Sequence, residues 1–151
     1  SKRNLLSIAT NGIKLDEMMD ELVNCAPENV RVSLDGATAE TNDIIRRGVK
    51  FKYLKETIKR AAKVLPVQIA TVVMNRNLGE IGEVLDLSVD LGVYFVRLTP
   101  LRLASRRNDL SRILRFFSKR RQNKTKSDGG QSSFCFNGLS STIRYKNVSR
   151  Q

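Results

Sequence analysis

Val30-Arg31-Val32-Ser33-Leu34-Asp35-Gly36 is the stretch that decides the fold. Branched apolar residues alternate with polar ones, and the run closes on polar side chains and a glycine. That is the pattern of a strand running into a tight turn. A helix-like segment, residues 38–47, follows at once. Upstream, Leu5-Leu6-Ser7-Ile8-Ala9-Thr10-Asn11-Gly12 ends in the same way. Polar groups gathered at the carboxyl ends of parallel strands are where α/β folds hold their ligands. Both stretches therefore point to a site as well as to an architecture.

The strand-then-helix unit recurs four times. Strands are expected at residues 5–10, 30–34, 67–74 and 94–98. The helix after the first strand opens near Asp16 and carries Met18, Met19, Leu22 and Val23 at helical spacing. A short helix is expected over residues 38–47, and a longer one over 51–64 with Tyr53, Leu54, Ile58, Ala61 and Ala62 on one apolar face. Asn77 reads as the N-cap of a helix through Ile81, Val84, Leu85, Leu87 and Leu91, stopped by Gly92. Alternation at this spacing implies parallel strands joined by right-handed crossovers. Beyond Pro100 the pattern weakens. Leu110, Ile113, Leu114 and Phe117 share one face of a basic helix, residues 122–133 read as a polar linker, and a strand-like piece falls at 142–145.

Composition narrows the function. The 151 residues have 40% apolar content, enough for one ordinary domain with a core. No run of about 18 apolar residues spans a membrane, no signal peptide is visible, and the scarcity of cysteine fits a reducing cytoplasm. With no histidine, Ser-His-Asp, Cys-His and His-ligated zinc chemistries are excluded within the chain. Cys25 and Cys135 form no metal-spaced pair, and Cys25 reads as a small buried hydrophobe. The formal charge of +12 is uneven: residues 1–103 hold 15 Lys/Arg against 13 Asp/Glu, whereas residues 104–151 hold 12 against 2. A basic tail of this kind is the electrostatic footprint of nucleic-acid binding, and also that of an ordinary solvated surface.

Residues 5–102 closely resemble the radical S-adenosylmethionine (SAM) enzymes, at strands 3–6 of their partial (β/α)6, TIM-like barrel. Ile8-Ala9-Thr10-Asn11-Gly12 looks like the third strand and its turn. The stretch from Val30 to Gly36 looks like the fourth, followed by Asp43-Ile44-Ile45-Arg46-Arg47-Gly48. Residues 67–77 resemble the fifth strand, and Phe95-Val96-Arg97-Leu98-Thr99-Pro100-Leu101 the sixth. Cys135-Phe136-Asn137-Gly138 is similar to the opening of the SPASM extension, whose first cysteine supplies a ligand to an auxiliary cluster. The expected organisation is a partial barrel over residues 1–104, a basic helix and linker over 105–133, and the start of a SPASM-like extension over 134–151. A (β/α) unit complete in itself would instead be a small doubly wound α/β domain.

The resemblance implies an enzyme that uses a [4Fe–4S] cluster to cleave SAM to a 5′-deoxyadenosyl radical for hydrogen abstraction, with peptide or protein modification a common use of the extension. A reductant protein and a peptide or small-molecule substrate are the implied partners. The Cys-x-x-x-Cys-x-x-Cys motif of the family is absent, as is its glycine-rich motif. A cluster needs at least three thiolates. The expectation is thus an N-terminally truncated piece, inactive by itself and holding no catalytic residue, with exposed edges that leave it marginally stable or prone to associate. The alternative is a non-catalytic α/β domain whose basic tail binds nucleic acid or an acidic partner.

Site residues follow from the matching positions. Ser33 and Arg46 fall where the family holds the SAM ribose and carboxylate, with Arg47 a competitor for the arginine role, although a serine there also caps turns and an arginine also decorates solvated helices. Asp35 either bonds ribose or makes an Asx turn before Gly36. Thr10 and Asn11 sit where barrel ligands meet side chains, and Asn11 before Gly12 also suits an unaided left-handed turn. Around Leu98 and Thr99 the strand would pass the adenine, or these residues simply pack in the core. Cys135 is the candidate auxiliary-cluster ligand or a bystander thiol.

Overall fold

The computed structural model describes residues 6–101 together with strand residues 132–137 and 142–147. The elements are β1 (Ser7–Thr10), α1 (Met19–Cys25), β2 (Asn29–Ser33), α2 (Ala39–Ile45), α3 (Phe51–Val64), β3 (Val67–Val73), a 3₁₀ turn (Leu78–Glu80), α4 (Ile81–Asp90), β4 (Phe95–Pro100), β5 (Ser132–Asn137) and β6 (Thr142–Asn147). They build one sheet in the order β1-β2-β3-β4-β6-β5. The first four strands are parallel. The last two form an antiparallel pair that extends the sheet past β4.

The order of the parallel strands decides between the two architectures open from the sequence. Each crossover steps to the next strand in the same direction. Right-handed crossovers that all step one way place every helix on one face, whereas a doubly wound sheet reverses direction partway. Burial agrees. Val30, Val32, Val67, Ile69, Val96 and Leu98 alternate along their strands into a core closed by Leu54, Ile58, Ala61 and Leu85. The residues between them, from Arg31 to Arg97, are only half-buried on the other face. The layer is singly wound, as a segment of a barrel is.

The amphipathic readings hold where the apolar spacing is regular. α3 spans Phe51–Val64 and buries Phe51, Leu54, Ile58, Ala61 and Ala62, while Tyr53 lies at the edge of this face and is 40% exposed. α4 ends at Asp90 with Leu91 as its C-cap, and Gly92 (φ 74°) donates its N–H back to the carbonyl of Val89. α1 is shorter than expected. Only Leu22 of the helix is buried, Met18 sits at its N-cap, and both Met18 and Val23 are exposed. Cys25, read as buried, is exposed at the end of this helix. Ser132 and Ser133, assigned to a linker, lie in β5, where hydrogen bonding to β6 overrides their turn preference. The basic helix expected around residues 110–121 lies outside the described residues. No helix among those described is long and apolar enough to cross a membrane.

Candidate functional site

Because β1 to β4 are parallel, their carboxyl ends reach the same edge of the sheet, and every predicted site residue except Cys135 lies at or near it. The edge is organised by one buried carboxylate. Asp35 follows β2 by two residues and is 2% exposed. Its Oδ2 accepts from Arg46 Nε at 2.6 Å, and its Oδ1 accepts from the backbone N–H of Val72 at 2.6 Å. Its own N–H donates to Asn42 Oδ1 at 3.0 Å, and its carbonyl accepts from Asn77 Nδ2 at 2.7 Å. Asn77 also donates to the Val72 carbonyl and accepts from the Met74 N–H. Both amide side chains are fully buried. The network ties the end of β2 to the end of β3, and ties both to the C-cap of α2, where Arg46 sits.

Gly36 makes that closeness possible. A Cβ there would lie 2.7 Å from the backbone nitrogen of Asn42, so only glycine lets α2 begin against the strand end. Thr38 caps α2 by accepting from the N–H of Thr41. Glu80 locks the same turn to the 3₁₀ segment by accepting from the Ala37 N–H and from the hydroxyls of Thr38 and Thr41.

These contacts sort the candidates. Asp35 is 2% exposed, and each of its oxygens accepts one bond, from Arg46 and from the Val72 N–H. The Arg46 guanidinium is 27% exposed and bonded only through Nε, so among the described residues both Nη groups are free. Ser33 ends β2 on the helix-free face, and its hydroxyl has no partner among the described residues. Thr10 accepts from the N–H of Gly12 and Asn11 from that of Ile13, so both shape the turn after β1. Leu98 takes the second of its two readings: it lies on the helix-covered face, is 1% exposed and packs in the core, one residue out of phase with the open face. Thr99 is the residue exposed there. Cys135 falls in β5, and the register of that strand is all that is described of it.

Two features were not legible as site residues. Asn77, read as a cap, makes no cap hydrogen bond with its side chain and instead brackets β2 and β3. Asn42 lies within the expected helix, where nothing in the sequence marks it as buried. Arg46 also lines a cavity of about 160 Å³ with Asp43, Gly48, Val49 and Lys50. That is smaller than the 300–1,000 Å³ typical of ligand pockets, roughly. Asp43 there accepts from the N–H of Phe51 and lies 3.9 Å from Lys50 Nζ. The cavity belongs to the α2–α3 turn, not to the strand ends.

A singly wound parallel layer with a preset guanidinium at its strand ends defines the chain as part of a (β/α)-barrel-type α/β protein. Comparison with known proteins is more specific: the Radical SAM superfamily matches residues 2–88, and the chain belongs to that family. A GTP 3′,8-cyclase from Peptoclostridium acidaminophilum is 32% identical over 116 residues, covering 74% of this chain and 36% of the relative. The mycofactocin maturase MftC of Mycobacterium tuberculosis is 32% identical over 108 residues, 70% of this chain and 27% of the relative. The chain thus spans about a third of the length of these relatives. Among solved structures, Streptococcus suis SuiB bound to its precursor peptide SuiA superposes with a TM-score of 0.65 at 15% identity, over 79% of this chain and 29% of SuiB.

Family membership implies SAM and an iron–sulfur cluster, and the residues present meet these two differently. The chain has two cysteines, and no group of three or more His, Cys, Asp or Glu side chains able to hold a metal occurs among the described residues. The cluster does not fit this chain. SAM does: free Nη donors on a positioned arginine suit a carboxylate, and a free serine hydroxyl suits a ribose.

Proposed function

We propose that this chain is the SAM-holding part of a SPASM-type radical SAM enzyme of the cytoplasm that modifies a peptide or protein. The observation that carries the reading is Arg46, clamped through Nε by buried Asp35 with its Nη groups left over. SAM bound here would supply hydrogen-abstraction chemistry in concert with an iron–sulfur cluster held elsewhere. Within this chain Arg46 would grip the methionyl carboxylate in two parallel bonds, and Ser33 would hold the ribose. Asp35 fixes the rotamer of Arg46, which lowers the entropy lost when the carboxylate binds. The thiolates for the cluster, and an electron donor for it, have to come from outside these residues. Residues 1–104 form the partial barrel in this reading, 105–133 the connection, and 134–151 the start of the extension.

Peptide modification is supported by three observations: the maturase relative, the peptide held by SuiB, and the Cys135–Gly138 spacing. The test is the coding sequence upstream of Ser1. An in-frame Cys-x-x-x-Cys-x-x-Cys is expected about 60–90 residues before it, at roughly 30 residues for each βα unit. Iron and sulfide reconstitution of that longer protein should then give a brown, oxygen-sensitive product. A stop or start codon immediately before Ser1 would overturn the enzyme reading.

A further inference from the structure

The helix-free face of the sheet carries a charged feature that the cofactor reading leaves unused. Side chains alternate across a strand, so the register Ala9↔Arg31, Arg31↔Gln68 and Gln68↔Phe95 sets these four residues in one row on that face. The next row toward the strand ends holds Ser33, Ala70 and Arg97. Arg31 is half-buried, and its Nε is enclosed with no hydrogen-bond partner among the described residues. The amide nitrogen of neighbouring Gln68 donates to the Tyr94 hydroxyl at 2.5 Å, and its oxygen accepts no bond from Arg31 Nε.

Apart from Arg97, the other described side chains of these rows are neutral. Asp35 at the rim is already committed to Arg46 and to the Val72 N–H. An enclosed guanidinium donor with no acceptor is costly unless something anionic completes it. With about 4.8 Å between strands and about 3.3 Å per residue along them, the Arg31 and Arg97 backbones lie about 12 Å apart on the diagonal. Two long side chains can share one ionised group across that gap.

We propose that Arg31, with the charge of Arg97 beside it, forms an oxyanion subsite that takes a carboxylate or phosphate group of the substrate. The inference rests on reading this face as the barrel lumen with SAM held at the strand ends. Arg31 lies one row, about 6.6 Å, below Ser33. A group bound there sits beneath the cofactor edge, at a substrate's depth. The planar guanidinium fork suits either oxyanion, and a positive lumen floor would also draw an acidic substrate in.

The test uses the full 151-residue chain with ¹⁵N-labelled arginine, titrated at constant ionic strength with inorganic phosphate, with succinate and, separately, with SAM. The Nε–H resonance of Arg31, assigned by its loss in Arg31→Lys, should shift saturably with one of the two anions. The tighter of them identifies the group as phosphate or carboxylate. Arg31→Gln should weaken that binding at least tenfold as read at Arg97, and Arg97→Gln should weaken it as read at Arg31. If neither anion moves Arg31 saturably, or if both glutamine variants bind as the parent does, the subsite is refuted. The SAM titration is read at Arg46 instead. Its failure with phosphate or succinate binding intact would strike the cofactor reading and leave the subsite standing.

Discussion

Asp35→Asn separates a carboxylate that builds the site from one that merely faces it. The substitution keeps the shape and leaves an amide oxygen for the Val72 N–H, but it sets an NH₂ or a neutral oxygen against Arg46 Nε, now 2.6 Å from a carboxylate oxygen. A hydrogen bond to a charged group contributes about 1.5–3 kcal/mol, and a neutral one about 1 kcal/mol. Losing the arginine bond and weakening the Val72 bond should together cost about 3 kcal/mol. Arg46 recovers part of this because its side chain is 27% exposed and can hydrate, whereas Asp35 at 2% cannot. Arg46→Gln, which strands the buried carboxylate, should therefore cost more than Asp35→Asn. Urea unfolding at constant m-value reads both, and the double variant should show coupling of about 1.5–3 kcal/mol because the two share one bond. A cost for Asp35→Asn below about 1 kcal/mol, with no coupling, would mean that the carboxylate is free at the strand ends and that Arg46 is not positioned by it.

Other substitutions bear on neighbouring claims. Gly36→Ala should lower the thermal midpoint by the equivalent of about 1–3 kcal/mol, since its Cβ meets the Asn42 backbone and not a side chain that can turn away. Asn77→Ala removes bonds to Asp35, Val72 and Met74 from a fully buried position and should cost at least about 2 kcal/mol in urea. A cap reading predicts about 1 kcal/mol. Leu98→Ala should cost about 2–5 kcal/mol while leaving SAM affinity per folded molecule unchanged, which checks its core position by denaturation and binding together. Asp16→Asn should cost under about 1 kcal/mol and lose even that in high salt, because the Arg60 pair at 2.7 Å is exposed on both sides.

The parallel strands are legible from local pattern because each is a short branched run ending at a turn, and β2 carries its site in the same seven residues. α3 is legible for the same reason: one apolar stripe, cleanly spaced. Harder to see is anything that depends on which face a residue takes. Leu98 and Thr99 are neighbours in sequence, and only the register with β3 sends one to the core and the other to the open edge. The pairing of Asp35 with Arg46 crosses a whole helix, so the matching family positions indicate both residues but not that one holds the other. Asn42 and Asn77 escape because amides are common in turns and helices, and their burial comes from long-range packing. Of the antiparallel pair, β6 is signalled by the strand-like piece at 142–145, whereas β5 escapes because its opening serines read as linker and its partner is reached only through the pairing with β6.

The most direct measurement is equilibrium binding of SAM to the 151-residue chain, beside 5′-methylthioadenosine, which has the same nucleoside and no carboxylate. Arg46 held by Asp35 predicts that SAM binds more tightly than methylthioadenosine, and that Arg46→Gln removes this difference with the fold intact. Equal binding of the two ligands, or a preference that survives in Arg46→Gln, would contradict the assignment of this strand-end site to SAM.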